Sequence, residues 1–160
     1  MENVYLLLGS NENDRIRNLE KACYWISLFG GKILKQSALY ETEAWGLKEQ
    51  NAFINQAVLI ETFLTPKQLL LHLKGIEKEM GRVETVKWGP RVIDIDILFY
   101  GNEVVDMEEL KVPHPFLHER RFTLAPLNEI ATELVHPVLN KTVEELLQQC
   151  NDTSLVKKLN

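Results

Sequence analysis

The chain has 160 residues, 45% of them hydrophobic and 26% charged, with a formal net charge of −5, a balance that suits one globular domain over residues 1–160. Such an acidic chain offers no general nucleic-acid surface, and no apolar run approaches the roughly 20 residues of a membrane helix. Residues 1–10 lack a basic leader and a cleavage site, and Cys23 and Cys150 form no CxxC pair, which reads as two thiols in a reducing cytoplasm.

Residues 4–8 are a short β-rich apolar run ending at Gly9 and predict a first strand. The polar SNENDR follows, where Asn13 or Asp14 can cap a helix with Ile16, Leu19, Cys23 and Ile26 on one face. Gly30 and Gly31 end that helix. Residues 32–42 predict a second strand, 43–51 a loop without clean period, and 53–63 a third strand. On the third, Ile54, Gln56, Val58 and Ile60 share a face, and Phe53, Asn55, Ala57 and Leu59 take the other. Thr65, Pro66 and Gln68 make a compact helix start, Leu69, Leu73, Ile76 and Met80 line that helix, and Gly81 can close it in the left-handed conformation. A second loop over 82–90 leads to a fourth strand over 92–99. The remainder holds Pro113, Pro115, Pro126 and Pro137, with helical turns predicted at 118–121 and 127–131 and a capped helix from Thr142 to about residue 149. The order β-α-β-β-α-β predicts an α+β, ferredoxin-like domain. Its antiparallel sheet carries both helices on one face and leaves the other open, and short helices form a C-terminal extension.

Aspartate is depleted in strands, yet the fourth strand carries Asp94 and Asp96. Side chains two apart share a face, so the carboxylates stand about 7 Å apart, opposite Ile93, Ile95, Ile97 and Phe99. The pair reads either as a solvated face or as a clamp for a hard cation such as Mg²⁺, which takes oxygen ligands and keeps water and phosphate. Arg82, Lys87 and Arg91 precede the pair, and Arg120 and Arg121 follow it. Singly each is a surface charge; clustered, their forks suit phosphate oxygens. Carboxylates for metal and arginines for phosphate are the equipment of metal-assisted phosphoryl transfer, here without a Walker A or GxGxxG loop. Trp45 and Trp88, each followed by glycine, read as water-excluding lids or as rings packed on their own loops. Phe53 and Phe122 read as core or as stacking walls, and Asn55 as an amide able to pair with a heterocycle's edge. His114, between two prolines, is structural or contacts phosphate. The competing class is a binding module of the same fold. RNA binding would need a run of stacking aromatics that is lacking here, and a regulatory domain has no use for an Asp pair beside arginines.

The stretch KWGPRVIDIDIL (residues 87–98) resembles the signature of the 6-hydroxymethyl-7,8-dihydropterin pyrophosphokinase family of folate biosynthesis. LLLGSN (6–11), YETEAWG (40–46), FINQAV (53–58), GR (81–82) and VPHPFLHERRFTLAPL (112–127) resemble further parts of that family in the same order. The resemblance implies transfer of pyrophosphate from ATP to the hydroxymethyl group of the pterin, with AMP leaving. It implies Asp94 and Asp96 as ligands of two Mg²⁺ ions, and Arg82, Arg91, Asp94 and Asp96 as the catalytic set. ATP would be met by Glu77, Trp88, Arg91, Ile97, His114 and Arg120. The pterin would be met by Thr42, Glu43, Trp45, Phe53, Asn55, Asp94 and Phe122. It further implies a cytoplasmic monomer acting on two small molecules, with neither nucleic acid nor membrane as partner. The family often has proline where Ala44 stands and a basic residue where Glu84 stands; Arg121 takes no role.

Overall fold

A computed structural model of the chain describes residues 1–43, 50–81 and 91–159. The long β1 (Glu2–Ser10) is antiparallel to β4 (Phe53–Thr62) on one side and to the edge strand β5 (Asp94–Tyr100) on the other. Beyond β4 lie β2 (Lys32–Gln36) and β3 (Tyr40–Thr42), and β8 (Val156–Lys158) extends the sheet past β3. One strand was expected over 32–42. It is broken by Ser37, whose N–H donates to the Ala57 carbonyl while its hydroxyl accepts the Ala57 N–H at 2.9 Å. The hairpin of β6 (Val105–Asp106) and β7 (Lys111–Val112) stands apart. The order β5-β1-β4-β2/β3 is that of a ferredoxin-like domain, as expected.

Helix α1 (Arg15–Phe29) starts at Asp14, whose carboxylate accepts the Arg17 N–H, and α2 (Pro66–Glu79) starts in the full Thr65–Gln68 capping box. Both pack on one face of the sheet, where Leu19, Ile26, Leu69 and Leu73 meet Leu6, Leu8, Val58, Ile60, Ile95 and Ile97. Ile16, expected on that face, lies in the first turn and is 43% exposed; Ala22 joins the buried stripe instead.

The other face is largely closed, contrary to expectation. A 3₁₀ turn (Leu117–Glu119), α3 (Arg121–Ala131) and α4 (Val143–Gln149) bring Leu117, Leu124, Leu127, Ala131, Val143 and Leu146 onto Leu7, Ala57, Leu98 and Phe99. Helix α3 runs unbroken through Pro126, where separate turns at 118–121 and 127–131 were expected, because its buried stripe of Leu124, Leu127 and Ala131 continues past the proline and outweighs the lost hydrogen bond. Phe99 also departs from simple alternation. Pairing passes from Leu6 opposite Ile97 to Tyr5 opposite Phe99, so Leu98 is an extra residue and both Leu98 and Phe99 face α3. Among the described residues, these helices leave uncovered the end of this face near the start of β4 and β5, where Phe53, Asp94 and Asp96 are half-exposed.

Candidate active site

The sheet register assembles that open end. Asp94 pairs with Gly9, Gly9 with Asn55, and Asn55 with Tyr40. Directly paired residues share a face, and neighbouring strands lie about 4.8 Å apart, so Asp94 and Asn55 stand roughly 10 Å apart across the sheet. Gly9 places no side chain between them. A Cβ there would sit 2.6 Å from Asn55 Oδ1 and 3.5 Å from Phe53 Cδ1, so the amide and the ring both lean over the glycine. Asn55 is 3% exposed and donates from Nδ2 to Thr42 Oγ1 at 3.2 Å. Thr42, itself buried, pairs with Phe53. Thr42, Phe53 and Asn55 therefore share one face, and the placing of Phe53 and Asn55 together follows the expected alternation of the strand.

Asp94 and Asp96 are both half-exposed, while Ile93, Ile95 and Ile97 are buried beneath the helices. The expected split of this strand holds from Ile93 to Ile97. β5 is an edge strand, and its outward Ile95 N–H, between the two aspartates, would lack a partner in the sheet. Glu77 from α2, 5% exposed, accepts it at 2.8 Å. Glu77 thus sets the height of the carboxylate pair, and it also lines a cleft beside β5 with Leu70, Lys74, Asp94, Asp96 and His114. Leu70, Lys74 and Glu77 recur at i, i+4 and i+7, a helical stripe that could have flagged the first two from sequence. Ile97 borders the same cleft but is only 4% exposed.

Arg120 caps α3, is 6% exposed, and places its guanidinium 4.9 Å from the Phe116 ring centre and 5.5 Å from that of Phe122. Burial pulls its pKa below the ordinary arginine value, and the fields of Asp96, Asp94 and Glu119 oppose that shift. The guanidinium therefore lies within the field of the carboxylate pair, and it stays charged at any physiological pH. Phe122 is half-buried in the first turn of α3. Two helical turns later Glu129 accepts from Tyr40 Oη at 2.7 Å and from the Ala38 N–H at 3.0 Å, which ties α3 to β3.

His114 is anchored by its N–H to the carbonyl of the bulged Leu98 at 3.0 Å. Burial, then the neighbouring Arg120, push its pKa down to about 4. It is neutral at pH 7. Its Nδ1 accepts the Phe116 N–H at 3.2 Å, which leaves the proton on Nε2 as an uncharged donor. Arg91, half-buried, joins the site just ahead of β5. Glu43 is exposed, one residue past β3. Trp45, Arg82 and Trp88 lie outside the described residues. Sequence reasoning gave Asn11 no role, yet it is buried beside Arg91.

The family model for 7,8-dihydro-6-hydroxymethylpterin-pyrophosphokinase (HPPK) matches residues 5–132. The 2-amino-4-hydroxy-6-hydroxymethyldihydropteridine pyrophosphokinase of Aquifex aeolicus is 48% identical over 145 residues, which are 91% of this chain and 90% of that protein. The folic acid synthesis protein fol1 of Pneumocystis carinii is 44% identical over 151 residues, 94% of this chain but 20% of that much longer protein. A crystal structure of Plasmodium falciparum HPPK-DHPS with pteroate shares the fold at a TM-score of 0.78 and 21% identity, over 92% of this chain and 42% of that one. The matched span holds every described site residue from Thr42 to Phe122, and with the Aquifex relative aligned along nearly its whole length, the chain belongs to the HPPK family.

Proposed function

We propose that this chain transfers pyrophosphate from ATP to the hydroxymethyl group of 6-hydroxymethyl-7,8-dihydropterin, a step of folate biosynthesis. The hydroxymethyl oxygen bonds to the β-phosphorus. The bond from that phosphorus to the oxygen bridging the α-phosphate breaks, AMP leaves with that oxygen, and the hydroxyl proton is released. The supporting observation is the row from Asp94 across Gly9 to Asn55: a carboxylate for the phosphate end and an amide for the pterin edge, about one bicyclic ring apart, with only a glycine between them in the sheet.

Phe53 and Phe122 wall the ring, Asn55 pairs with its edge, and Thr42 holds Asn55 in place. Glu43 and Trp45 complete the pterin side. Asp94 and Asp96 offer two half-exposed oxygen donors on one face, a partial set that fits a hard cation with water and phosphate oxygens as its remaining ligands. Bound there, two Mg²⁺ ions would supply charge neutralisation for the triphosphate. Arg120, Arg91 and Arg82 hold phosphate oxygens, His114 donates from a neutral Nε2, and Trp88 helps exclude water. Glu77 serves ATP chiefly by fixing β5. The same reading takes the protein as a cytoplasmic monomer acting on two small molecules. Among the described residues no helix is long and apolar enough to cross a membrane.

The test is AMP release from ATP, measured with and without the pterin and with and without Mg²⁺. Release should require both. AMP appearing without the pterin, or none with every component supplied, contradicts the assignment.

A further inference from the structure

Asn11, the residue after β1, is 1% exposed, and its side-chain amide is used from both ends. Oδ1 accepts the backbone N–H of Arg91 at 2.7 Å. Nδ2 donates to Gln50 Oε1 at 2.9 Å and to the Asn51 carbonyl at 3.1 Å. The Asn11 backbone N–H adds a bond to the Arg91 carbonyl at 3.0 Å. The partners decide which end is which: a backbone N–H can only donate and a carbonyl can only accept, so a flipped amide would lose both arms. The two arms reach different halves of the site. Residues 50–51 run into Phe53 and Asn55, and Arg91 runs into Asp94 and Asp96.

The rest of the turn between β1 and α1 grips the same two places. Asn18 Nδ2 bonds the Val92 carbonyl at 3.3 Å as well as Ser10 Oγ at 3.1 Å and the Glu12 carbonyl at 2.9 Å. Arg15 donates to the Ala52 carbonyl at 2.9 Å and pairs with Glu41 at 3.0 Å. One compact turn therefore holds the chain just before the pterin wall and just before the carboxylate strand.

We propose that Asn11 is a positioning residue that locks these two chain segments in one register, so that the pterin hydroxyl and the β-phosphorus meet in line. It touches neither substrate. Only an amide of this length offers an acceptor to one arm and a two-hydrogen donor to the other; aspartate lacks the donor and alanine lacks both. The proposal rests on the function proposed above.

Asn11→Asp separates the two arms. It keeps an acceptor for the Arg91 N–H but sets a carboxylate against the Gln50 and Asn51 oxygens. Asn11→Asp should raise the KM for the pterin by about tenfold or more, the scale of a lost buried hydrogen bond with a facing pair of acceptors, while the KM for ATP stays near wild type. Asn11→Ala should raise both KM values and lower kcat. Gln50→Ala, at a half-buried position, should reproduce the pterin-only effect at smaller size, and it decides the matter if either Asn11 variant fails to fold. The proposal is overturned if Asn11→Asp shifts both KM values alike, if the two Asn11 variants lower only the melting temperature, or if Gln50→Ala leaves the pterin KM unchanged. A wild-type protein without pterin-dependent AMP release sinks the underlying function instead, before any variant is made.

Discussion

Gly9→Ala is a one-methyl probe of the proposed pterin floor. The backbone there is not in the left-handed region, so alanine brings no strain of its own and acts only through its Cβ. That atom would stand 2.6 Å from Asn55 Oδ1, about 0.8 Å short of ordinary contact. Asn55 cannot swing away at no cost, being 3% exposed and bonded to Thr42. Overpacking a well-filled site costs about 1–3 kcal/mol. If most of that falls on the Asn55 orientation that the pterin needs, affinity for the pterin should drop by about 10- to 100-fold. The assay is equilibrium titration of the pterin against the protein saturated with Mg²⁺ and an unreactive ATP analogue, with affinity for the analogue measured alongside. Analogue binding should stay within about threefold of wild type, since one interstrand step separates the methyl from the carboxylates. Unchanged pterin affinity would refute the reasoning, and so would equal losses for both ligands.

Asp96→Asn should remove most turnover, by about 100-fold or more if it helps hold the metal, yet shift the melting temperature little, because the residue is half-exposed; near-normal turnover contradicts its role. Phe53→Ala should weaken the pterin by about tenfold, the scale of a lost aromatic contact, and leave ATP almost untouched; equal weakening would mark the ring as structural. Glu77→Ala strands the Ile95 N–H and should cost about 1–3 kcal/mol of stability in a denaturant titration, and no loss would mean that β5 does not depend on that bond. His114 has a folded-state pKa near 4 against an ordinary 6.5, so the unfolded chain takes up its proton first as pH falls. The resulting stability is present above pH 6.5 and drains away as pH drops toward 4. The fall in melting temperature across that window should be shallower in His114→Asn, and identical slopes would contradict the shift.

Much of this molecule can be read from residue order because the controlling forces are local. The Thr65–Gln68 and Thr142–Glu145 capping boxes join residues three apart. Strand alternation alone separates Asp94 and Asp96 from the buried isoleucines, and Phe53 and Asn55 from Ile54 and Val58. The misses involve distant chain. Phe99 changes face through a bulge that exists only in its pairing with β1. Continuation of α3 through Pro126 depends on the sheet beneath it. Strand β8 is three residues long, two of them lysine, and owes its existence to the free edge of β3. Asn11 is one amide in a polar turn, and its partners lie 39, 40 and 80 residues away. Of the site itself, residue types and faces are legible in sequence, whereas the empty position at Gly9 and the edge support from Glu77 require the register.

The central claim, a metal clamp at Asp94 and Asp96 opposite a pterin wall at Asn55, is tested most directly by a crystal structure with Mn²⁺, an unreactive ATP analogue and the pterin. Anomalous scattering should place manganese against both carboxylates, with the pterin ring over Gly9 and its edge on Asn55. Manganese bound elsewhere, or a pterin lying off that face, would contradict the account.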